Sequence, residues 1–112
     1  MNELKILIID AKELKKRQDA NPKLCLIDVR EQDEWEALHI PGALHIPKDE
    51  LPTSILAKAL QQDQPIYLHC RAGVRSLYAA HALLELGYQE VYSVEGGIEA
   101  WQSCGYPLNS QS

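Results

Sequence analysis

The 112-residue sequence lacks any run near the roughly 18 to 20 consecutive apolar residues that a membrane helix needs. Its opening, Met1-Asn2-Glu3-Leu4-Lys5-Ile6, lacks the basic start, long apolar middle and small-residue cleavage site of a secretory signal. These absences set the expectation of a cytoplasmic protein that takes no membrane as a partner. Cysteine is scarce: Cys25, Cys70 and Cys104 are all there are, with no Cys-x-x-Cys pair and no cysteine–histidine cluster at zinc spacing. An odd count argues against a disulfide framework in a reducing compartment. No metal and no cofactor are expected. Positive charge is also sparse. The formal charge of −5 is spread along the chain, which argues against a general nucleic-acid role, and only four arginines occur.

What is present fits one domain, 46% apolar and 24% charged, with no repeat or linker; an ordered core over about residues 4–108 and a short C-terminal tail are expected. Short β-branched or apolar runs at Ile6–Ile9, Leu24–Val29, Ala43–Ile46, Ile66–His69 and Val91–Val94 read as five strands. The run from Leu24 to Val29 is apolar on consecutive positions, as a strand buried on both faces is. Between the strands lie helical patterns over Ala11–Ala20, after the cap Asp10; Glu31–Leu38; Leu51–Leu60, with Thr53 and Ser54 as cap candidates; Ser76–Leu86; and Ile98–Ser103. Alternating strands and helices predict an α/β fold: a mainly parallel five-stranded sheet with helices on both faces.

The chemistry concentrates in Ile66-Tyr67-Leu68-His69-Cys70-Arg71-Ala72-Gly73-Val74-Arg75-Ser76-Leu77. In open α/β sheets, ligands bind outside the C-terminal ends of strands, where this pattern puts Cys70. A loop running into a helix start exposes unpaired backbone N–H groups and the positive end of the helix dipole. Gly73 lets such a loop curl its amides inward as an anion-binding nest, and Ala72 leaves the rim open. A cysteine at the centre favours its thiolate, the form that acts as nucleophile. Arg71 and Arg75 add charge for an anionic substrate, and Val74 belongs to the same cradle. Asp28 and Arg30, ending the neighbouring strand, suit a hydrogen-bonded pair that braces the loops. His69 is adjacent to Cys70 and reads as a packed histidine rather than a base. Cys25 reads as a small core residue, and Cys104 as incidental.

Three separated segments carry a resemblance to one family. Leu26-Ile27-Asp28-Val29-Arg30-Glu31 with Trp35, His39-Ile40-Pro41-Gly42-Ala43 and Ile46-Pro47 is similar to the first signature of single-domain rhodaneses, which are sulfurtransferases. Cys70-Arg71-Ala72-Gly73-Val74-Arg75-Ser76 resembles their active-site loop. Val94-Glu95-Gly96-Gly97-Ile98-Glu99-Ala100-Trp101, with Gly105-Tyr106-Pro107-Leu108, resembles their closing signature. The resemblance spans nearly the whole chain. It implies a rhodanese-like fold and a cycle in which Cys70 carries a persulfide between a donor such as thiosulfate and cyanide or another thiophile. Cys70 is then the catalytic residue; Arg71, Ala72, Gly73, Val74 and Arg75 bind substrate, and Asp28, Arg30 and Ser76 support.

Partners implied are a small sulfur-donor anion and a thiol acceptor such as thioredoxin or a sulfur-relay protein. A persulfide carrier in a relay pathway would use the same residues, and a non-enzymatic module of the same fold often lacks the loop cysteine. Phosphatases and arsenate reductases related in fold use His-Cys-x5-Arg. Here Arg75 comes one residue early and Ser76 stands at the arginine's place, so the ring is tight for a phosphoryl group and suits a sulfur atom.

Overall fold

A computed structural model describes residues 5–57 and 62–110. Five parallel strands form one sheet in the order β1-β5-β4-β2-β3, with β1 Leu7–Ile9, β2 Cys25–Asp28, β3 Leu44–His45, β4 Ile66–His69 and β5 Val91–Val94. The helices are α1 Ala11–Ala20, α2 Gln32–Ala37, α3 Leu51–Ala57, α4 Val74–Glu85 and α5 Gly97–Ser103. Consecutive side chains of a strand face opposite ways, so β2 and β4, wholly buried, supply both halves of the core. Ile27, Leu68 and Val91 pack with Leu51 and Ile55 of α3 and Ala80 and Leu83 of α4. Leu26 and Tyr67 pack on the other side with Leu14 of α1 and Ile98 and Trp101 of α5. The expected α/β fold with helices on both faces is the one observed.

Local chemistry explains most boundaries. Asp10 caps α1 by accepting from the Glu13 N–H at 2.8 Å. Glu31 opens α2 through a capping box with Glu34, the Glu31 N–H donating to Glu34 Oε1 at 2.9 Å. The cap expected at Thr53 and Ser54 is not formed. A 3-10 turn, Lys48–Glu50, runs directly into α3 at Leu51, so both residues lie inside the helix. The expected continuation of that helix to Leu60 lies outside the described residues, as does Leu4. The fourth helix starts at Val74, two residues before the expected Ser76, because the loop glycine is itself the N-cap.

Register places the site. Asp28 of β2 sits beside His69 of β4 and His45 of β3. The C-terminal ends of three strands are therefore level, and Cys70 leaves the sheet from its central strand.

Candidate active site

Cys70 is only 1% exposed and lies under its own loop. Gly73 takes φ +108°, a left-handed conformation that a side chain would strain, and this reversal turns the loop back over the sulfur. The Gly73 N–H donates to Cys70 Sγ at 3.1 Å. The amides of Ala72 and Ser76 also hydrogen-bond the sulfur, and Ser76 Oγ lies 3.6 Å from it. The last of these groups belongs to the first turn of a 12-residue helix, whose dipole points its positive end at the same place.

Two effects compete at this thiol. Burial is the larger single influence and pushes its pKa up; the hydrogen bonds from the Ser76 amide and hydroxyl and from the Gly73 and Ala72 amides together outweigh it. The Cys70 thiol is thereby held below its ordinary value. At Cys25 burial acts alone and pushes the thiol up, which disfavours its thiolate.

The loop amides aim inward because α5 holds the loop carbonyls. The Ile98 N–H donates to the Cys70 carbonyl at 2.9 Å and the Glu99 N–H to the Arg71 carbonyl at 3.1 Å. In a trans peptide the N–H points opposite to the C=O. Pinning the Arg71 carbonyl against α5 thus turns the Ala72 N–H toward the sulfur. Gly97 makes the approach possible: at φ +54°, a Cβ there would sit 2.7 Å from both the carbonyl carbon and the carbonyl oxygen of Arg71 and nearer still to the Cys70 oxygen.

Arg71 and Arg75 each have a carboxylate partner. Arg75 makes a two-pronged pair with Glu34 of α2, Nη1 to Oε1 at 2.7 Å and Nη2 to Oε2 at 2.9 Å. The Arg75 guanidinium holds the Glu34 carboxyl down at about 2, against burial that would raise it. Arg71 Nε lies 3.1 Å from Glu99 Oε2 in an exposed pair. Glu34, Arg71, Glu99 and Gln102 line a cleft of about 380 Å³ on one side of the loop. Ala72, Gly73 and Val74 line a smaller, more apolar one of about 280 Å³ on the other, where Val74 is 62% exposed.

Asp28 and Arg30 form a buried pair, Oδ2 to Nη2 at 2.8 Å, and Arg30 Nη2 also donates to the Leu38 carbonyl at 2.5 Å. The strand end is thereby tied to α2, which carries Glu34. His69 is fully buried, its Nδ1–H donating to the Cys70 carbonyl at 3.3 Å and its Nε2 3.5 Å from Asp28 Oδ2. Burial, the stronger influence, lowers its pKa against the raising effect of Asp28, so the ring is neutral. It packs; it does not reach the sulfur as a base.

Glu34, Ser93, Glu99 and the α5 amides were missed by sequence reasoning. The capping-box spacing of Glu31 and Glu34 was a readable signal for α2, though none existed for its partner 41 residues away. Ser93, 1% exposed on β5, had none.

The rhodanese-like domain profile matches residues 10–104. The chain is 35% identical over 89 residues to the thiosulfate sulfurtransferase GlpE of Tolumonas auensis, covering 80% of this chain and 81% of that protein. It is 40% identical over 93 residues to the probable adenylyltransferase/sulfurtransferase MoeZ of Mycobacterium tuberculosis, 83% of this chain but only 24% of that protein's length. Among solved structures, a rhodanese-like domain protein from Staphylococcus aureus superposes with a TM-score of 0.82 at 30% identity, covering 96% of this chain and all of that one. The rhodanese-like domain of Alr3790 from Anabaena gives 0.82 at 27% identity, over 91% of this chain and 77% of that one. With the profile covering most of its length, the chain belongs to the rhodanese-like domain family.

Proposed function

We propose that the protein transfers a sulfane sulfur through a Cys70 persulfide. The observation that carries this reading is the ring of amides from Ala72, Gly73 and Ser76 closed around a buried, acidified sulfur. In the first half-reaction the Cys70 thiolate attacks the outer sulfur of thiosulfate; the S–S bond to the sulfonate sulfur breaks and sulfite leaves with the electron pair. A Cys70 persulfide anion remains. Cyanide or a thiolate acceptor then attacks its terminal sulfur, the persulfide S–S bond breaks and the Cys70 thiolate returns. No external oxidant is needed, since the sulfane sulfur is only handed on.

Throughout, the protein's task is to hold a negative sulfur in fixed dipoles that need no reorganisation. Cover over the sulfur favours a small donor such as thiosulfate. A protein persulfide donor in a relay would meet the same amides, and the sulfurtransferase names of GlpE and MoeZ support the general activity. The test is the intact mass after incubation with thiosulfate: a gain of one sulfur on Cys70, about 32 Da and removable by cyanide, is expected. An adduct confined to Cys25 or Cys104, or aryl phosphate hydrolysis with no adduct, would overturn the assignment.

A further inference from the structure

Behind the cradle, two serines on different elements face each other. Ser76 Oγ and Ser93 Oγ are 2.7 Å apart, with the residues 0% and 1% exposed. Ser76 Oγ also lies 3.2 Å from the Gly73 carbonyl and 3.6 Å from Cys70 Sγ. Each hydroxyl owns one proton.

Among the described residues, Ser93 Oγ has Ser76 Oγ as its one hydrogen-bond partner. If Ser76 donated to Ser93, the Ser93 proton would be buried with nothing to accept it, and a buried donor left unpaired carries its full desolvation cost. The chain of protons therefore runs the other way. Ser93 donates to Ser76, and the Ser76 proton is left to the Gly73 carbonyl or the Cys70 sulfur. The two acceptors suit the two states of the sulfur: a neutral thiol can donate to Ser76 Oγ while Ser76 donates to Gly73, and a thiolate draws the Ser76 proton to itself. A hydroxyl that already accepts a hydrogen bond is also a better donor, because consecutive bonds polarise one another.

We propose that Ser93 is a positioning residue: by donating to Ser76 Oγ it commits the Ser76 hydroxyl proton to the sulfur side of the cradle. It acts through Ser76 and touches neither sulfur nor substrate. The inference rests on Cys70 being the reacting thiol.

The experiment reads the protonation of that thiol without any sulfur transfer. The ultraviolet thiolate absorbance is followed across a pH sweep, and the spectrum of Cys70→Ser is subtracted so that only Cys70 contributes. Ser93→Ala is expected to raise the midpoint by about half a unit to one unit. Ser76→Ala is expected to raise it at least as much, and the double variant to match Ser76→Ala alone, since Ser93 has no other route to the sulfur. Ser93→Thr and Ser93→Val have equal volume and differ in the hydroxyl, so Thr is expected to keep the lower midpoint. The charged and titratable groups around the sulfur are the same in every variant: Arg75 with Glu34, Arg71 with Glu99, and His69 beneath.

An unchanged midpoint in Ser93→Ala, additive shifts in the double variant, or equal midpoints for Thr and Val would overturn the proposal. A wild-type protein with no Cys70 component below the ordinary thiol range would instead overturn the reading of Cys70 as an activated thiolate. The two failures are thus separable.

Discussion

The guanidinium of Arg75 grips the carboxylate of Glu34 with two hydrogen bonds, its two terminal nitrogens 2.7 and 2.9 Å from the two oxygens. The Arg75 charge at the start of α4 is thereby matched by a charge from α2. The backbone amides are left as the donors directed at the sulfur. Removing the carboxylate charge should restore the attraction: Glu34→Gln is expected to lower the KM for thiosulfate about threefold at low salt, with the gain fading as ionic strength rises. Steady-state kinetics at two salt concentrations measure this. A KM indifferent to the substitution would assign donor binding to the amides alone.

The same pair sets an acid limit on stability. Glu34 falls from an ordinary value of 4.5 to about 2 on folding, chiefly through Arg75. Between these values the unfolded chain binds a proton that the folded one does not, so the contribution is present above about pH 4.5 and is lost as pH falls toward 2. With a quarter of the Glu34 side chain exposed, its size after solvent screening is on the order of 1 kcal/mol. Thermal unfolding followed from about pH 6 to about pH 2.5 should therefore show a shallower acid loss in Glu34→Gln than in the wild type. Parallel curves would contradict the pairing.

Gly97 is where α5 touches the loop that follows Cys70. A Cβ there meets main-chain atoms of Arg71 at 2.7 Å in a left-handed backbone, and neither helix nor loop can yield cheaply. Gly97→Ala is expected to cost about 3 kcal/mol. By displacing the Cys70 and Arg71 carbonyls it should also raise the Cys70 thiol pKa. Denaturant melts and thiol titration read the two effects; a stable variant with an unshifted thiol would show that α5 does not shape the cradle.

The buried Asp28–Arg30 pair should be unequal to its parts. Asp28→Ala leaves the 5%-exposed Arg30 charge without its carboxylate, at a cost of about 3–5 kcal/mol in urea unfolding. Replacing both by apolar residues of similar volume should recover much of that loss. If the single substitution were as mild as the double, the pair would not be bracing the strand end.

The strand–helix alternation was legible in the sequence because burial on both faces leaves unbroken apolar runs such as Leu24-Cys25-Leu26-Ile27 and Ile66-Tyr67-Leu68, and because Asp10 marks a helix start by its own local chemistry. The amide-ringed cysteine was legible too. Cys70, Gly73 and Ser76 act within one loop of seven residues, where spacing along the chain already dictates distance in space. What the sequence could not show is which groups meet the loop from elsewhere. Glu34 arrives on α2, Ile98 and Glu99 on α5, and Ser93 on β5, 17 to 41 residues from their partners. Only the parallel register of β2, β4 and β5, which levels their C-terminal ends, brings these groups together. Thus the sequence alone determined a cysteine in an amide-rich turn, while the tertiary structure decided that its arginines are already paired and its hydroxyl already backed by a second one. Charge pairing and proton direction depend on neighbours across the fold, and those neighbours are set by packing rather than by adjacency in the chain.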